Sequence, residues 1–136
     1  MPGQDGTEPV GNDELLYRRI PVSTGWCDLH GVSPEAFHPQ QYDLSGISLY
    51  RAKYKSLLEA ASGKSSKGCF VAVLRAGDLT NRGVPLLPRP GKDDPGHVEL
   101  PSLRFDNRRT REASEQKVLL ANLCLKVEGP FPSVTA

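Results

Sequence analysis

Glycine and proline break this chain at short intervals, 13 of one and 12 of the other in 136 residues. Proline fixes φ and removes a backbone donor, and glycine weakens the interior of any regular element. That is more punctuation than long helices tolerate, so short elements joined by defined turns are expected. A chain of this length is one ordinary domain and can bury a core without disulfides or metal. A hydrophobic share of 38% and a charged share of 24% agree with a globular chain slightly lean in apolar residues.

The net charge of +1 supplies no global field to draw in nucleic acid or an anionic membrane. No apolar run approaches the roughly 20 residues that span a bilayer. The opening Met1-Pro2-Gly3-Gln4-Asp5-Gly6 lacks the basic and apolar regions of a secretory signal. Cys27, Cys69 and Cys124 are odd in number and show no paired spacing, which points to reduced thiols and a cytoplasmic protein.

Residues 1–13 carry Asp5, Glu8 and Asp13 with no Lys or Arg, and read as a flexible acidic arm. Residues 14–130 form the predicted domain, with 131–136 as a tail. Leu15 to Ile20 reads as a strand ended by Pro21. Ser33-Pro34-Glu35-Ala36-Phe37 has an N-cap serine followed by proline, the start of one helical turn. Ile47 to Tyr50 alternates as a strand. Tyr50, Tyr54, Leu57, Leu58 and Ala61 then share a helical face, which predicts a helix over 51–62 closed by Gly63.

Lys64 to Gly68 is a polar loop, and Cys69 to Leu74 is apolar on both faces, the mark of a central strand. Ala76 to Gly83 reads as a helical turn, with short strands at Val84–Leu87 and His97–Leu100 around a Pro/Gly loop. Ala113, Leu120, Leu123, Cys124 and Val127 form a stripe that predicts a helix over 111–127, stopped by Gly129-Pro130. A competing reading ends that helix at Asn122 and makes 123–127 a strand. The fold class expected is α+β: a mainly antiparallel sheet of about five short strands packed by two principal helices, 51–62 and 111–127.

The chemistry-bearing patterns are sparse. Cys27-x-x-His30, with His38 further on, is half of a zinc set, and the second pair is missing, so no metal and no cofactor are assigned. Cys69 and Cys124 have apolar neighbours and Cys27 has Asp28, none of which favours a thiolate. Gly63-Lys64-Ser65-Ser66-Lys67-Gly68 follows a helix and precedes a strand, the reverse of the order that aims N–H groups at phosphate. Basic clusters at 51–67 and at Arg104, Arg108, Arg109 and Arg111 suit a phosphate stripe only if one surface joins them.

His97 is the most suggestive residue, because imidazole moves protons near neutral pH. Glu99 lies on the same strand face, Arg89 precedes both, and the Pro/Gly loop before them can wall a cleft. Plain alternation gives the simpler account, with His97 and Glu99 facing solvent while Val98 and Leu100 face the core.

Two resemblances attach to these residues. Leu16-Tyr17-Arg18-Arg19-Ile20-Pro21, Val32-Ser33-Pro34-Glu35-Ala36-Phe37 and Ile47-Ser48-Leu49-Tyr50 resemble the opening of a group of small bacterial proteins, which implies no activity. Gly83-Val84, Arg89 and His97-Val98-Glu99-Leu100 are similar to the glycine, arginine and His-Val-His-Leu-Ser pattern of NAD-using RNA 2′-phosphotransferases. That family has an ADP-ribosyltransferase-like fold. Glu99 stands where its second histidine would be, Pro101 stands for its serine, and the loop is longer.

The leading expectation is a non-enzymatic accessory or protein-interaction domain of a bacterial multi-protein system, its partner another protein. Trp26, Phe131 and Arg109 are its candidate anchors. The alternative is a small enzyme acting on RNA or an NAD-type ligand. There His97 and Glu99 would do acid–base work, and Arg89 with Arg18 or Arg19 would bind phosphate. A concave pocket joining His97 to those arginines separates the two readings.

Overall fold

The computed structural model describes residues 5–62 and 68–132. The predicted helix stop at Gly63, the loop at 64–67 and the last four residues of the tail lie outside the described residues. The architecture is α+β. One open sheet has six strands: β1 (Leu15–Pro21), β4 (Ile47–Arg51), β5 (Cys69–Arg75), β6 (Leu87–Pro88), β7 (His97–Leu100) and β8 (Lys126–Phe131). Their order is β6-β7-β4-β1-β5-β8, with every neighbouring pair antiparallel. A separate hairpin pairs β2 (Cys27–Asp28) with β3 (Gly31–Val32). Three helices, α1 (Leu57–Ala61), α2 (Ala76–Thr80) and α3 (Arg111–Leu123), complete the elements together with three short 3-10 turns.

Strand alternation sorts the side chains into two faces. On one, Leu16, Ile20, Leu49, Leu74 and Leu100 pack beneath Phe37, Leu103 and Leu120 and form the main core. On the other, Ala60 and Ala61 of α1 cover Cys69 and Val71, with Tyr17, Leu57 and Phe131 around them. That second cluster is small. Ser48, Tyr50, His97 and Glu99, which share this face on β4 and β7, are only partly buried.

The predicted strand at 69–74 is β5, paired along its whole length with β1 and flanked on its other edge by β8. Val71 and Val73 point one way and Phe70, Ala72 and Leu74 the other, although Phe70 is only half-buried. Residues 34–37 form the expected turn, and the Ser33 hydroxyl accepts the Glu35 N–H at 3.2 Å.

The two long helices are where expectation and structure part. The segment 51–62 is not one helix: Arg51 still belongs to β4, a turn follows, and α1 has only five residues. Ser56 opens it with a capping box, taking the Glu59 N–H at 3.2 Å while the Glu59 carboxylate takes the Ser56 N–H at 2.9 Å. Tyr50, the first residue of the apolar stripe, is held by sheet pairing opposite Tyr17 and His97. At the other end α3 stops at Leu123, Cys124 turns extended, and the Leu125 N–H reaches the Val73 carbonyl at 2.8 Å. The strand reading of the following residues is the one observed, as β8, because β5 offers an unpaired edge there. Gly129-Pro130 lies inside this edge strand, where a missing donor is tolerated.

Residues 5–13, read from sequence as a loose arm, pack against the domain. Their anchor is Arg51, whose side chain is fully buried. It donates to the carbonyls of Gly6, Glu8 and Pro9 at 3.0–3.2 Å and to both carboxylate oxygens of Glu14 at 2.7 and 2.8 Å. Gly6 sits at φ +95° with the Pro95 carbonyl oxygen 2.0 Å from where a Cβ would stand, so only glycine fits this approach.

Candidate functional site

β1 and β4 are paired only at Leu16–Arg51 and Tyr17–Tyr50. Beyond that point they diverge, while β1 stays in register with β5. The gap opens a cleft of about 520 Å³, lined by Arg18, Arg19, Trp26, Tyr42, Asp43, Ser48, Tyr50 and Glu99 among others. Gly46 closes one end. At φ +145°, a Cβ there would stand 2.5 Å from the Leu100 carbonyl oxygen, so a larger residue would push β7 away.

Arg18 spans the divergence. Its Nε donates to the Ala36 carbonyl and its Nη1 to the Ser48 carbonyl, each at 3.0 Å. A side chain thus joins β1 to β4 where the ladder has ended. Among the described residues no carboxylate lies within ion-pair distance of Arg18, and Nη2 has no hydrogen-bond acceptor. Burial holds its guanidinium below the usual arginine value, and the charge that most opposes this is that of Asp43. Asp43 itself is buried and accepts the Gln40 N–H at 2.7 Å. Arg19, beside it, donates to the Ser62 carbonyl and stacks its guanidinium 5.7 Å from the Tyr50 ring centre.

His97 stands behind Ser48. Its Nε2 is 2.7 Å from the Ser48 Oγ, and its Nδ1 is 2.9 Å from the Arg89 carbonyl oxygen. A carbonyl only accepts, so the neutral ring carries its proton on Nδ1 and offers the Nε2 lone pair to the serine hydroxyl. Tyr50 flanks the imidazole, with ring centres 6.0 Å apart.

The sequence-predicted candidates divide. Arg18, Arg19 and Glu99 line the cleft, and His97 reaches it through Ser48. Glu99 does not orient His97: it accepts the Ser45 hydroxyl at 3.1 Å and sits 3.3 Å from the Arg89 Nε. The residue that orients His97 is Arg89, through its backbone, while its exposed side chain does not line the cleft. The Pro/Gly loop therefore supports the site from behind, and the wall is made by residues 36–46. Arg109 is exposed in the turn before α3. Trp26 is half-buried against the main core and Phe131 against the smaller cluster. Ser48, Tyr50 and Asp43 were not singled out in the sequence. Ser48 faces Glu99 across the β4–β7 ladder, a pairing without a local signature.

The thiols are held protonated. Burial pushes Cys27 up to about 11 and raises Cys69 and Cys124. Among the described residues no three His, Cys, Asp or Glu side chains cluster as a metal site would need. His38 instead meets the Lys117 Nζ at 3.0 Å, and burial followed by that charge lowers its pKa. No helix among the described residues is long and apolar enough to cross a membrane. Comparison with protein families, curated proteins and solved structures finds no match to this chain.

Proposed function

We propose that the cleft between β1 and β4 binds a small phosphate-bearing molecule, with Arg18 as its anchor. The observation that carries this reading is a half-buried guanidinium on the cleft lining that, among the described residues, has no carboxylate at ion-pair distance and keeps one nitrogen without an acceptor. A partly desolvated charge with a nitrogen still open to the cleft gains from an anion that pairs with it. The guanidinium fork matches phosphate geometry, and Arg19 adds a second positive charge on the same lining. Asp43 and Glu99 also line the cleft, but each is engaged, the first by the Gln40 N–H and the second by Ser45 and Arg89. Tyr50, Trp26 and Tyr42 supply aromatic surface for a ring attached to the phosphate.

Calorimetric titration with ADP tests this reading. Binding should weaken at least tenfold in Arg18→Met and stay unchanged in Lys126→Ala, an exposed β8 position outside the cleft. Equal ADP affinity in native protein and Arg18→Met, or no binding at all, would remove the proposal.

The second reading is the protein-interaction module. It is favoured by Tyr42 and Leu44, which are 78% and 73% exposed on the segment that walls the cleft. Large exposed apolar side chains beside a concave surface are common interface anchors. On that reading a partner segment, not a small molecule, would occupy the cleft.

A further inference from the structure

We infer that Ser48 is a nucleophile, activated by His97, that cleaves a phosphate ester held in the cleft. The inference rests on the phosphate-binding reading for its substrate class and on separate geometry for its chemistry. A serine hydroxyl is a weak nucleophile until a base within hydrogen-bond reach takes its proton. Here the Ser48 Oγ lies 2.7 Å from the His97 Nε2, inside the range such pairs require. The base is held by a third group, the Arg89 carbonyl, which fixes the proton on Nδ1 and leaves Nε2 free to accept. Ser48 lines the same cleft as Arg18 and Arg19. α1 packs over the β5 side of this sheet face, so the Ser48–His97 pair is left partly open to solvent.

The reaction is a phosphoryl transfer in two balanced steps. In the first, Ser48 Oγ attacks phosphorus as its proton passes to His97 Nε2. The bond from phosphorus to Oγ forms, the bond to the ester oxygen breaks, and His97 returns the proton to the departing alcohol. In the second, water attacks the phosphoserine while His97 takes one of its protons. The bond from phosphorus to Oγ breaks, the proton goes back to Ser48, and inorganic phosphate leaves. Ester and water become alcohol and phosphate with no change of oxidation state. Arg18 and Arg19, on the same cleft lining, are the cations available to the charge on the non-bridging oxygens.

The experiment separates nucleophilicity from binding. The full chain is incubated with an uncharged alkyl fluorophosphonate, which reports an activated serine whatever its natural substrate, and the adduct is followed by intact mass and mapped by peptide. A single adduct on Ser48 is expected, with fluoride released. Labelling should be absent in Ser48→Ala and at least about a hundredfold slower in His97→Ala. His97→Gln keeps a hydrogen-bonding group opposite Ser48 but no base of comparable strength, so it should also be slow while remaining folded by circular dichroism. No adduct, an adduct elsewhere, or full-rate labelling in folded His97→Gln would overturn the inference. Retained ADP binding with an inert Ser48 would leave the binding proposal standing alone, and labelled Ser48 without ADP binding would do the reverse.

Discussion

Arg51 and Arg18 project from neighbouring strands on the same face of one sheet, and their guanidinium groups meet opposite surroundings. Arg51 is fully buried, yet all of its nitrogens have acceptors, and its hydrogen bonds to Glu14, followed by the charges of Glu14 and Glu8, raise its pKa. Arg18 is less buried, among the described residues donates only to two carbonyls, and burial lowers its pKa. The first is a saturated structural node that ties the N-terminal segment to the sheet. The second is an open valence on a cleft. Exposure alone would rank Arg51 as the more unusual residue, whereas the count of satisfied donors identifies Arg18 as the one left with something to bind.

Breaking the saturated node should have the largest effect. Arg51→Met leaves Glu14 without its guanidinium partner and the Gly6, Glu8 and Pro9 carbonyls without this donor, and removal of one side of a buried pair typically costs about 3–5 kcal/mol. Chemical denaturation should show a loss of that order. A loss below about 1 kcal/mol would mean that the node is slack and the contrast with Arg18 is false.

Deleting residues 1–10 takes away the Gly6, Glu8 and Pro9 acceptors but leaves Glu14. The melting temperature should fall by more than about 5 °C, corresponding to roughly a kcal/mol or more. An unchanged midpoint would restore the flexible-arm reading.

Falling pH should weaken the node. Hydrogen bonds from Lys53 and Tyr54 bring the Glu8 carboxyl down to about 2, with Oε2 lying 2.7 Å from the Lys53 Nζ and 2.5 Å from the Tyr54 hydroxyl. A carboxyl whose folded pKa is below its unfolded one stabilises fully above the unfolded value. That contribution fades as pH falls from about 4.5 toward 2. Glu8→Gln should therefore flatten the acid limb of a stability–pH curve, leaving stability near pH 7 lower and stability near pH 2 little changed. An acid limb as steep as that of native protein would exclude Glu8 as its source.

The smallest expected effect on stability is the sharpest for the comparison. Arg18→Met breaks no ion pair among the described residues and removes only the donors to the Ala36 and Ser48 carbonyls, each hydrogen bond worth about a kcal/mol. Its loss of stability should stay below about 2 kcal/mol. A loss as large as that of Arg51→Met would make Arg18 a structural residue.

The short range of the sequence signals explains which parts of this fold were legible. Apolar alternation and turn residues located β1, β4, β5 and β7, and the Ser33-Pro34 start located the turn at 34–37. The helical stripes beginning at Tyr50 and ending at Val127 misled because Tyr50, at the start of one, and Val127, at the end of the other, are also strand formers. In the folded chain those ends complete ladders on β1, β7 and β5. A capping box at Ser56–Glu59 did mark the true start of α1. Of the site, Arg18, Arg19, His97 and Glu99 were visible as residue types able to do chemistry. Ser48 was not, because a serine in a strand carries no mark of its own.

By itself, then, the sequence determined the α+β class, the brevity of the elements and the positions of most strands, because backbone preference and alternation are local properties. Only the tertiary structure decided that Glu8 and Glu14 meet Arg51, that β1 and β4 part beyond Tyr17, and that Ser48 touches His97 across 49 residues of chain. Those contacts depend on register and on where pairing stops. A shift of one residue would turn Ser48 to the opposite face, and nothing in the residues around it encodes which side it takes.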